Sequence, residues 1–264
     1  MDTSLSRGYV GAMNVMNTNF GMTGPYAIGT EQVDIPVGDG PPMGAYIARP
    51  RAPGPFPGVL VGMELFGVDA DVRDVCDRLA GLGFVALAPD FHHRTAPGSE
   101  LPRDPAGRER GFELLGLMTR ATVLSDVGAA IGHLHAVGSA RVSMVGLSLG
   151  GHIAYLAATE FDLAAVAVFY GGWLPTTDIP ISRPEPTLSL TPKITGRLLF
   201  LVGERDHVVP PAQQREITDA LREAGIQHEM VVYPGIGHRF LHTDPATAAD
   251  AWHRVHALLT SAED

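Results

Sequence analysis

The chain has 264 residues, of which 45% are hydrophobic and 18% are charged, and it carries a formal net charge of −10. This size and composition are typical of one α/β domain with a buried core. The net negative charge and the absence of a Lys/Arg stripe exclude an extended phosphate-binding surface, so we expect no nucleic-acid partner.

The predicted elements begin with a hairpin and continue as apolar strands separated by amphipathic helices. The predicted strands cover TEQVDIPV, MGAYIARP and residues 56–63, 84–90, 140–145, 163–172, 197–203 and 228–234, and the predicted helices cover 68–81, 107–119, 120–138, 150–161, 210–224 and 246–261. Strands without polar alternation, each followed by a helix, indicate a doubly wound, mainly parallel sheet with helices on both faces. The Pro-rich segment 174–194 predicts a long loop.

The ends of the chain and its cysteine bear on location. Residues 1–28 are rich in Gly, Asn and Met and have no continuous apolar run like that of a secretory signal, so we expect an extension to a single domain at 29–264. No stretch approaches the roughly 20 apolar residues of a membrane helix. The single cysteine, Cys76, has no internal disulfide partner, and helical spacing predicts that it is buried. We therefore expect a cytoplasmic protein with no membrane partner, and the oligomeric state stays open.

One short stretch has the pattern of a catalytic nucleophile. The sequence VGLSLGGH lies between the β-branched run at 140–145 and the apolar helical pattern at 150–161. A strand therefore runs into a helix through Ser148, as in the G-x-S-x-G elbow, where the serine takes an unfavourable backbone conformation. The positions two residues away must lack bulk, and they are Gly146 and Gly150. The alternative is an ordinary serine between a strand and a helix.

A nucleophilic serine needs two partners, because its hydroxyl is a weak nucleophile at neutral pH. Ligands gather at the carboxyl ends of parallel strands, so the partners should follow later strands. Asp206 follows LLFLVG, and His238 follows MVVYP. The order Ser, Asp, His is that of an α/β-hydrolase, and we predict that Ser148, Asp206 and His238 form a catalytic triad. Taken singly, Asp206 also fits a helix N-cap, and His238 is one of eleven histidines.

An oxyanion intermediate needs two backbone N–H donors. The first is expected from Leu149, the residue after the predicted nucleophile, at a helix N-terminus. The second is expected from the loop after the strand at 56–63, and we predict Leu65. Glu64 lies in the same loop. It is either a solvated charge or helix cap, or a group in the floor of the active site.

Several separated segments together resemble the dienelactone hydrolase family, a branch of the α/β-hydrolases. The resemblance covers about residues 30–262 and is carried by MELFGVDADVRDVCDRLAGLGFVALAPDFHHRTAPG, GLSLGG, GERDHVVP and YPGIGHRF. It implies the same triad and amide donors, and it implies Glu64 as the carboxylate near the nucleophile. It also implies Arg94 as a candidate for binding a substrate carboxylate, although Arg94 equally fits a surface charge.

Two positions depart from that family. Its founding enzymes have cysteine where this chain has Ser148, so Glu64 is expected either to hold the oxyanion loop or to have another role, but not to control a thiolate. They also have an arginine four residues after the catalytic histidine, where this chain has His242. A neutral histidine offers one donor instead of a bidentate fork, so a dienelactone carboxylate is expected to be held less firmly.

The remaining histidines do not predict a metal site, since metal ligands must converge on one point. The pairs considered are His92 and His93, His133 and His135, and His253 and His256. We expect ordinary surface or pocket roles for them and no cofactor.

The leading hypothesis is a serine hydrolase that cleaves a small ester or lactone through an acyl-enzyme. A thioesterase or an acyltransferase would use the same residues. A protein that keeps the fold only to bind a small molecule is the alternative from another class, because fold does not establish function.

Overall fold

The computed structural model describes residues 24–38 and 40–262, and its described strands form one sheet of eight. The strands are β1 (Ile28–Ile35), β2 (Met43–Pro50), β3 (Gly58–Gly62), β4 (Val85–Pro89), β5 (Val142–Leu147), β6 (Ala165–Phe169), β7 (Arg197–Gly203) and β8 (His228–Tyr233). The α-helices are α1 (Ala70–Gly81), α2 (Pro105–Leu117), α3 (Arg120–Ala136), α4 (Leu149–Ala158), α5 (Pro211–Glu223), α6 (Phe240–Thr243) and α7 (Pro245–Ser261).

The sheet is mainly parallel, with the order β1-β2-β4-β3-β5-β6-β7-β8. The predicted hairpin of β1 and β2 is antiparallel, β2 is antiparallel to β4, and the other pairings are parallel. The connection through α1 leads to one side of β3, whereas the connection through α4 leads to the other side of β5. Right-handed crossovers in opposite directions place helices on both faces, and this confirms the predicted doubly wound α/β-hydrolase arrangement.

The centre of the sheet is the core of the molecule. Every residue of β3, β4, β5 and β6 is buried, as expected for parallel strands covered on both faces. Cys76 on α1 is also buried, as predicted. Polar chemistry is therefore confined to the loops that leave the carboxyl ends of these strands.

The segment 174–194, predicted as a long loop, contains two 3₁₀ helices, Pro180–Ser182 and Thr187–Lys193. It is packed against the domain, since Ile181 and Thr187 are fully buried. The segment is thus an ordered part of the domain, and its hydrogen bonds are described below.

The predicted boundary at residue 28 coincides with the start of β1, but residues 1–23 of the predicted extension lie outside the described residues. Tyr26, just before β1, donates its backbone N–H to the carbonyl of Gly81 at 3.2 Å. The division into extension and single domain stays a prediction. Within the described residues, no single helix is long and apolar enough to cross a bilayer, although α2 and α3, bent at 93°, pass that test as a pair.

Candidate active site

Ser148 lies on a strained turn between β5 and α4. Its backbone has φ 52° and ψ −109°, outside the conformations that most residues adopt. The flanking glycines make the turn possible. A Cβ on Gly146 would lie 2.0 Å from the carbonyl oxygen of Gly150, and a Cβ on Gly150 would lie 2.2 Å from the backbone of Gly62. The turn at Ser148 therefore has the strained backbone and the close glycine contacts of the elbow that the sequence predicts.

The structure brings Ser148, His238 and Asp206 together. The Ser148 Oγ atom lies 3.0 Å from His238 Nε2, and His238 Nδ1 lies 2.8 Å from Asp206 Oδ2. These distances are within hydrogen-bond range. The serine, the imidazole and the carboxylate come from the ends of β5, β8 and β7, as the sequence predicts.

Asp206 is almost fully buried and is held by backbone amides. The N–H groups of Val208 and Val209 donate to Asp206 Oδ1 at 2.8 and 3.0 Å. These bonds fix the carboxylate, so that His238 Nδ1–H donates to it and Nε2 is left to accept a hydrogen bond from the Ser148 hydroxyl. The N-cap of α5 is Pro210, so Asp206 does not cap that helix, and its bonds to Val208 and Val209 lie in the turn before it.

The two predicted oxyanion donors lie on adjoining segments. Leu149 is the first residue of α4, where a helix leaves amide groups unpaired. The N–H of Gly150 donates to the carbonyl of Met63 at 2.9 Å, and this bond holds the start of α4 against the loop after β3. Leu65 is two residues further along that loop and lines the cavity at Ser148. The hydrogen bond between Gly150 and Met63 thus holds the segment that contains Leu149 next to the segment that contains Leu65.

Glu64 is buried in the floor of the site and is bound by two arginines. Its Oε2 atom lies 2.5 Å from Arg103 Nη1 and 3.0 Å from Arg239 Nε. The Tyr170 hydroxyl donates to Oε1 at 3.3 Å, and burial together with this carboxylate raises the Tyr170 pKa well above its ordinary value. The structure thus places Glu64 in the floor and not in solvent, the second of the two alternatives.

The arginines that bind Glu64 also bind the start of α1. Arg103 contacts Asp69 at 2.6 Å, and Arg239 contacts Asp71 at 2.8 Å. Burial raises the pKa of Asp69, and Arg103 opposes that shift. This network joins the loop after β3, the loop before α2 and the loop after β8.

The cavity at Ser148 has a volume of about 250 Å³. Its apolar wall consists of Leu65, Phe66, Phe112, Trp173 and Val208. Its polar lining consists of Glu64, Arg108, Ser148, His207, His238, Arg239 and Thr243. A larger groove of about 630 Å³ lies between β8 and α7, but none of the predicted site residues lines it. The smaller cavity has the size and aromatic lining for a small organic acyl group.

Arg94 is not among the residues that line this cavity, so the structure gives no support to its predicted contact with substrate. Arg94 Nη2 lies 2.5 Å from Asp126 Oδ1, and the Asp126 side chain is only 2% exposed. A buried carboxylate needs a cation beside it. Asp126 is on α3, so the ion pair holds the Arg94 side chain next to that helix. His93 Nε2 also lies 3.2 Å from the same oxygen.

His242 likewise does not line the cavity, so the structure gives no support to contact with substrate. His242 is on α6, three residues after Arg239, and its Nδ1 atom lies 3.9 Å from Asp71 Oδ1. Burial lowers the His242 pKa, so the ring is neutral near pH 7. The histidine therefore lies beside Asp71, which belongs to the network of arginines and carboxylates around Glu64.

Arg108 is the cation that the sequence analysis missed. It is on α2, lines the cavity, and stacks over the Phe112 ring at 5.6 Å. The sequence does carry a signal for this helix: Gly107 and Gly111 are one turn apart. A Cβ on Gly111 would lie 2.6 Å from the Leu65 side chain, so glycine lets α2 approach the oxyanion loop closely.

The predicted absence of a metal site concerns the histidines named above. Among the residues that the structure describes, no three of His, Cys, Asp and Glu form a group suited to a metal ion. His92 and His93 are both buried at the end of β4, and Asp126 lies beside His93, but within the described part of the chain they do not form such a group.

Comparison with known proteins identifies the family. The model of the dienelactone hydrolase family matches residues 43–262. The chain belongs to the dienelactone hydrolase family. It is accordingly a hydrolase of carboxylic esters, and the resemblance found in its motifs is confirmed.

Relatives match over most of their own length. A "Putative carboxymethylenebutenolidase" of Synechocystis sp. is 36% identical over 225 residues, which are 81% of this chain and 89% of the relative. The carboxymethylenebutenolidase of Pseudomonas putida is 30% identical over 217 residues, 81% of this chain and 87% of the relative. The solved structure of a "Putative Dienelactone Hydrolase" from Klebsiella pneumoniae has a TM-score of 0.81 at 30% identity and covers 89% of this chain and 99% of that one. This match supports the α/β-hydrolase fold.

Proposed function

We propose that this protein is a serine hydrolase that cleaves a small ester or lactone through an acyl-enzyme intermediate. The observation that carries the proposal is the 3.0 Å contact between Ser148 Oγ and His238 Nε2 on a strained elbow. Both residues line one cavity together with Leu65, and Leu149 directly follows Ser148 at the start of α4. The family's founding enzymes have a cysteine at this position, so the proposal assigns a hydroxyl nucleophile to this member.

In the acylation step, Ser148 Oγ attacks the ester carbonyl carbon while His238 Nε2 takes the hydroxyl proton. Asp206 stabilises the imidazolium that forms, because its carboxylate lies 2.8 Å from Nδ1. The negative charge on the carbonyl oxygen is met by the amides of Leu149 and Leu65. The C–O bond of the ester then breaks, and His238 gives its proton to the leaving alkoxide.

In the deacylation step, a water molecule repeats the attack on the acyl-Ser148 carbonyl. His238 removes a proton from that water and returns it to Ser148 Oγ as the acyl–oxygen bond breaks. The products are a carboxylic acid and the free enzyme. A lactone gives one hydroxy acid, because its leaving alkoxide remains attached to the acyl chain.

The substrate class follows from the size and lining of the cavity. A volume of about 250 Å³ suits a small acyl or lactone ring, and Phe66, Phe112 and Trp173 supply aromatic contact. Arg103 and Arg239 are already bound to carboxylates of the protein, whereas Arg108 stacks on Phe112 at the cavity. The relatives' printed name, carboxymethylenebutenolidase, denotes an enzyme acting on a lactone that carries a carboxylate. We propose that Arg108, not Arg94, contacts a carboxylate on the substrate.

A fluorophosphonate probe tests the nucleophile. We expect the probe to label wild-type protein stoichiometrically and to leave Ser148→Ala unlabelled, since an activated serine oxygen attacks the probe's phosphorus, displaces fluoride and forms a stable phosphonyl ester. Ser189→Ala is a matched control, because Ser189 is exposed and, among the described residues, its hydroxyl donates to the carbonyl of Pro186 in its own segment. Absence of labelling in folded wild-type protein would overturn the proposal and favour a small-molecule-binding role.

A panel of p-nitrophenyl esters, lactones and thioesters then resolves the leaving group. Ester or lactone turnover that exceeds thioester turnover is expected. If thioesters are hydrolysed faster than esters and lactones, the same three residues would instead be assigned to a thioesterase.

A further inference from the structure

The proposed mechanism does not use His152, a histidine that lies one helical turn after Ser148 on α4. Its side chain is completely buried, yet both ring nitrogens have partners. Nδ1 lies 2.7 Å from the carbonyl oxygen of Gly172, and Nε2 lies 2.9 Å from the hydroxyl of Thr187. Burial of a polar ring is costly unless its nitrogens are hydrogen-bonded, so loss of either contact is unfavourable and the ring and its partners hold one another in place.

The partners determine which nitrogen carries the proton. A backbone carbonyl only accepts, so Nδ1–H donates to Gly172 and the neutral Nε2 accepts from the Thr187 hydroxyl. Burial lowers the His152 pKa to about 4, which agrees with a neutral ring at pH 7. One tautomer therefore serves both contacts, and the ring has a single orientation.

His152 and the segment 174–194 together hold a short strip of cavity wall. The strip follows β6 and includes Gly172 and Trp173, whose backbone is left-handed with φ 61°. His152 binds the carbonyl of Gly172, and the Ser182 hydroxyl donates to the carbonyl of Trp173 at 3.2 Å. A left-handed tryptophan persists only where the surrounding contacts determine it.

Trp173 forms part of the cavity beside Ser148. Its ring meets that of Phe112 edge to face, with centroids 6.3 Å apart and an interplanar angle of 89°. A Cβ on Gly172 would lie 2.5 Å from the Val208 side chain, so the strip also touches the opposite part of the apolar wall. A displacement of the strip would therefore change the width of the cavity.

We propose that His152 is a positioning residue that sets acyl-group selectivity: through Gly172, and with Ser182 and Thr187, it fixes Trp173 as a wall that limits the acyl chain. The selectivity part of this inference rests on the proposed function. The Pro-rich segment then has a specific role, because it supplies the two hydroxyl groups of the network. His152 and the segment act on the substrate through Trp173 and do not touch it.

The first test measures selectivity. His152→Phe keeps a ring of similar volume and removes both hydrogen bonds, whereas His152→Asn keeps a donor near the position of Nδ1. The quantity is the ratio of kcat/KM for p-nitrophenyl acetate to that for p-nitrophenyl octanoate. We expect His152→Phe to lower this ratio by about tenfold, the discrimination that one methylene gives in an apolar pocket. His152→Asn should recover most of it.

A merely structural role would lower the kcat of both esters by the same factor and leave the ratio unchanged, and that result would overturn the proposal. Ser182→Ala is a milder second variant if His152→Phe does not fold, and it should shift the ratio in the same direction. Ser189→Ala is the matched control in the same segment and should not shift it.

The second test does not depend on catalysis. The chain has two tryptophans, Trp173 and Trp252, so 5-fluorotryptophan gives two ¹⁹F resonances that Trp173→Phe assigns. His152→Phe and Ser182→Ala should move or broaden the Trp173 resonance and leave that of Trp252 in place. An unchanged Trp173 resonance would overturn the positioning role. If wild-type protein cleaves no ester, the proposed function fails, and these spectra alone decide whether His152 fixes Trp173.

Discussion

Arg239 directly follows His238, and its guanidinium binds the Glu64 carboxylate, with Nε 3.0 Å from Oε2. This contact joins the loop of the proposed catalytic histidine to the loop that supplies Leu65. Arg239 has a left-handed backbone with φ 62°, so the turn aims its side chain back toward the floor of the site. The relative position of base and oxyanion loop thus depends on a buried ion pair.

Glu64→Gln should lower the free energy of unfolding by about 3 kcal/mol, because Arg103 and Arg239 would lose a buried carboxylate. Urea unfolding at pH 7 measures the change. Glu113→Gln is the control, since the Glu113 side chain is 57% exposed and its pair with Arg110 is worth under about 1 kcal/mol. Equal destabilisation of the two variants would contradict a structural role for the Glu64 network.

Asp206→Asn should keep the fold and reduce kcat/KM by roughly 10⁴. The amides of Val208 and Val209 would keep the amide oxygen of the asparagine, so its NH₂ would face His238 Nδ1. The imidazole would then carry its proton on Nε2 and would be unable to accept one from Ser148. Ester turnover and near-ultraviolet circular dichroism measure the two halves of this prediction. A variant with near-normal turnover would mean that another carboxylate orients His238.

Arg108→Ala should reduce kcat/KM for an ester that carries a carboxylate by about tenfold or more, while a neutral ester of similar size changes little. The reason is the loss of a charge-assisted hydrogen bond, worth about 1.5–3 kcal/mol. Mono-p-nitrophenyl glutarate and p-nitrophenyl butyrate are suitable substrates. Arg110→Ala removes the same charge from the same helix at an exposed position paired with Glu113, and it should affect neither. Equal losses for both esters in Arg108→Ala would remove Arg108 from the binding site.

His92→Phe should stabilise the protein in acid relative to wild type. Burial lowers the His92 pKa from 6.5 to about 4, and neither ring nitrogen has a hydrogen-bond partner among the described residues. As the pH falls from 6.5 to about 4, the unfolded wild-type chain binds a proton at His92 that the folded chain does not bind, so wild type loses stability over that window. The variant has no such group.

The difference in unfolding free energy between His92→Phe and wild type should therefore be constant above pH 7 and grow by about 3 kcal/mol as the pH falls to 4. Denaturant unfolding at intervals of pH measures it. A difference that stays constant across this range would show that His92 is not buried in its neutral form.

The sequence predicts the sheet, and the convergence of the three proposed triad residues, for physical reasons. β7 has the bounds predicted from its apolar run, because a strand buried on both faces is apolar along its whole length. Ser148, Asp206 and His238 were predicted to meet because the carboxyl ends of parallel strands share one edge of a sheet. These are consequences of periodicity and chain order, which a single sequence contains.

Other features depend on side-chain partners far apart in the sequence. Arg94 is bound by Asp126, 32 residues later, and periodicity does not indicate which carboxylate captures an arginine. α6 has four residues, too few for a periodic pattern. The predicted strand at 163–172 ends at Phe169, because Tyr170 has a positive φ angle that a tyrosine at that position does not indicate. The role of His152 likewise appears only when its partners in 174–194 are in place.

The burial of Cys76, the single cysteine of the chain, affects how the protein responds to oxidants. Cys76 is sealed inside the hydrophobic interior, and burial raises its pKa well above the ordinary value, so little reactive thiolate forms. The proposed nucleophile is a hydroxyl and not a thiol, so on that proposal peroxide and alkylating agents have no catalytic cysteine to modify. Iodoacetamide, which inactivates thiol-dependent hydrolases, should leave this enzyme working.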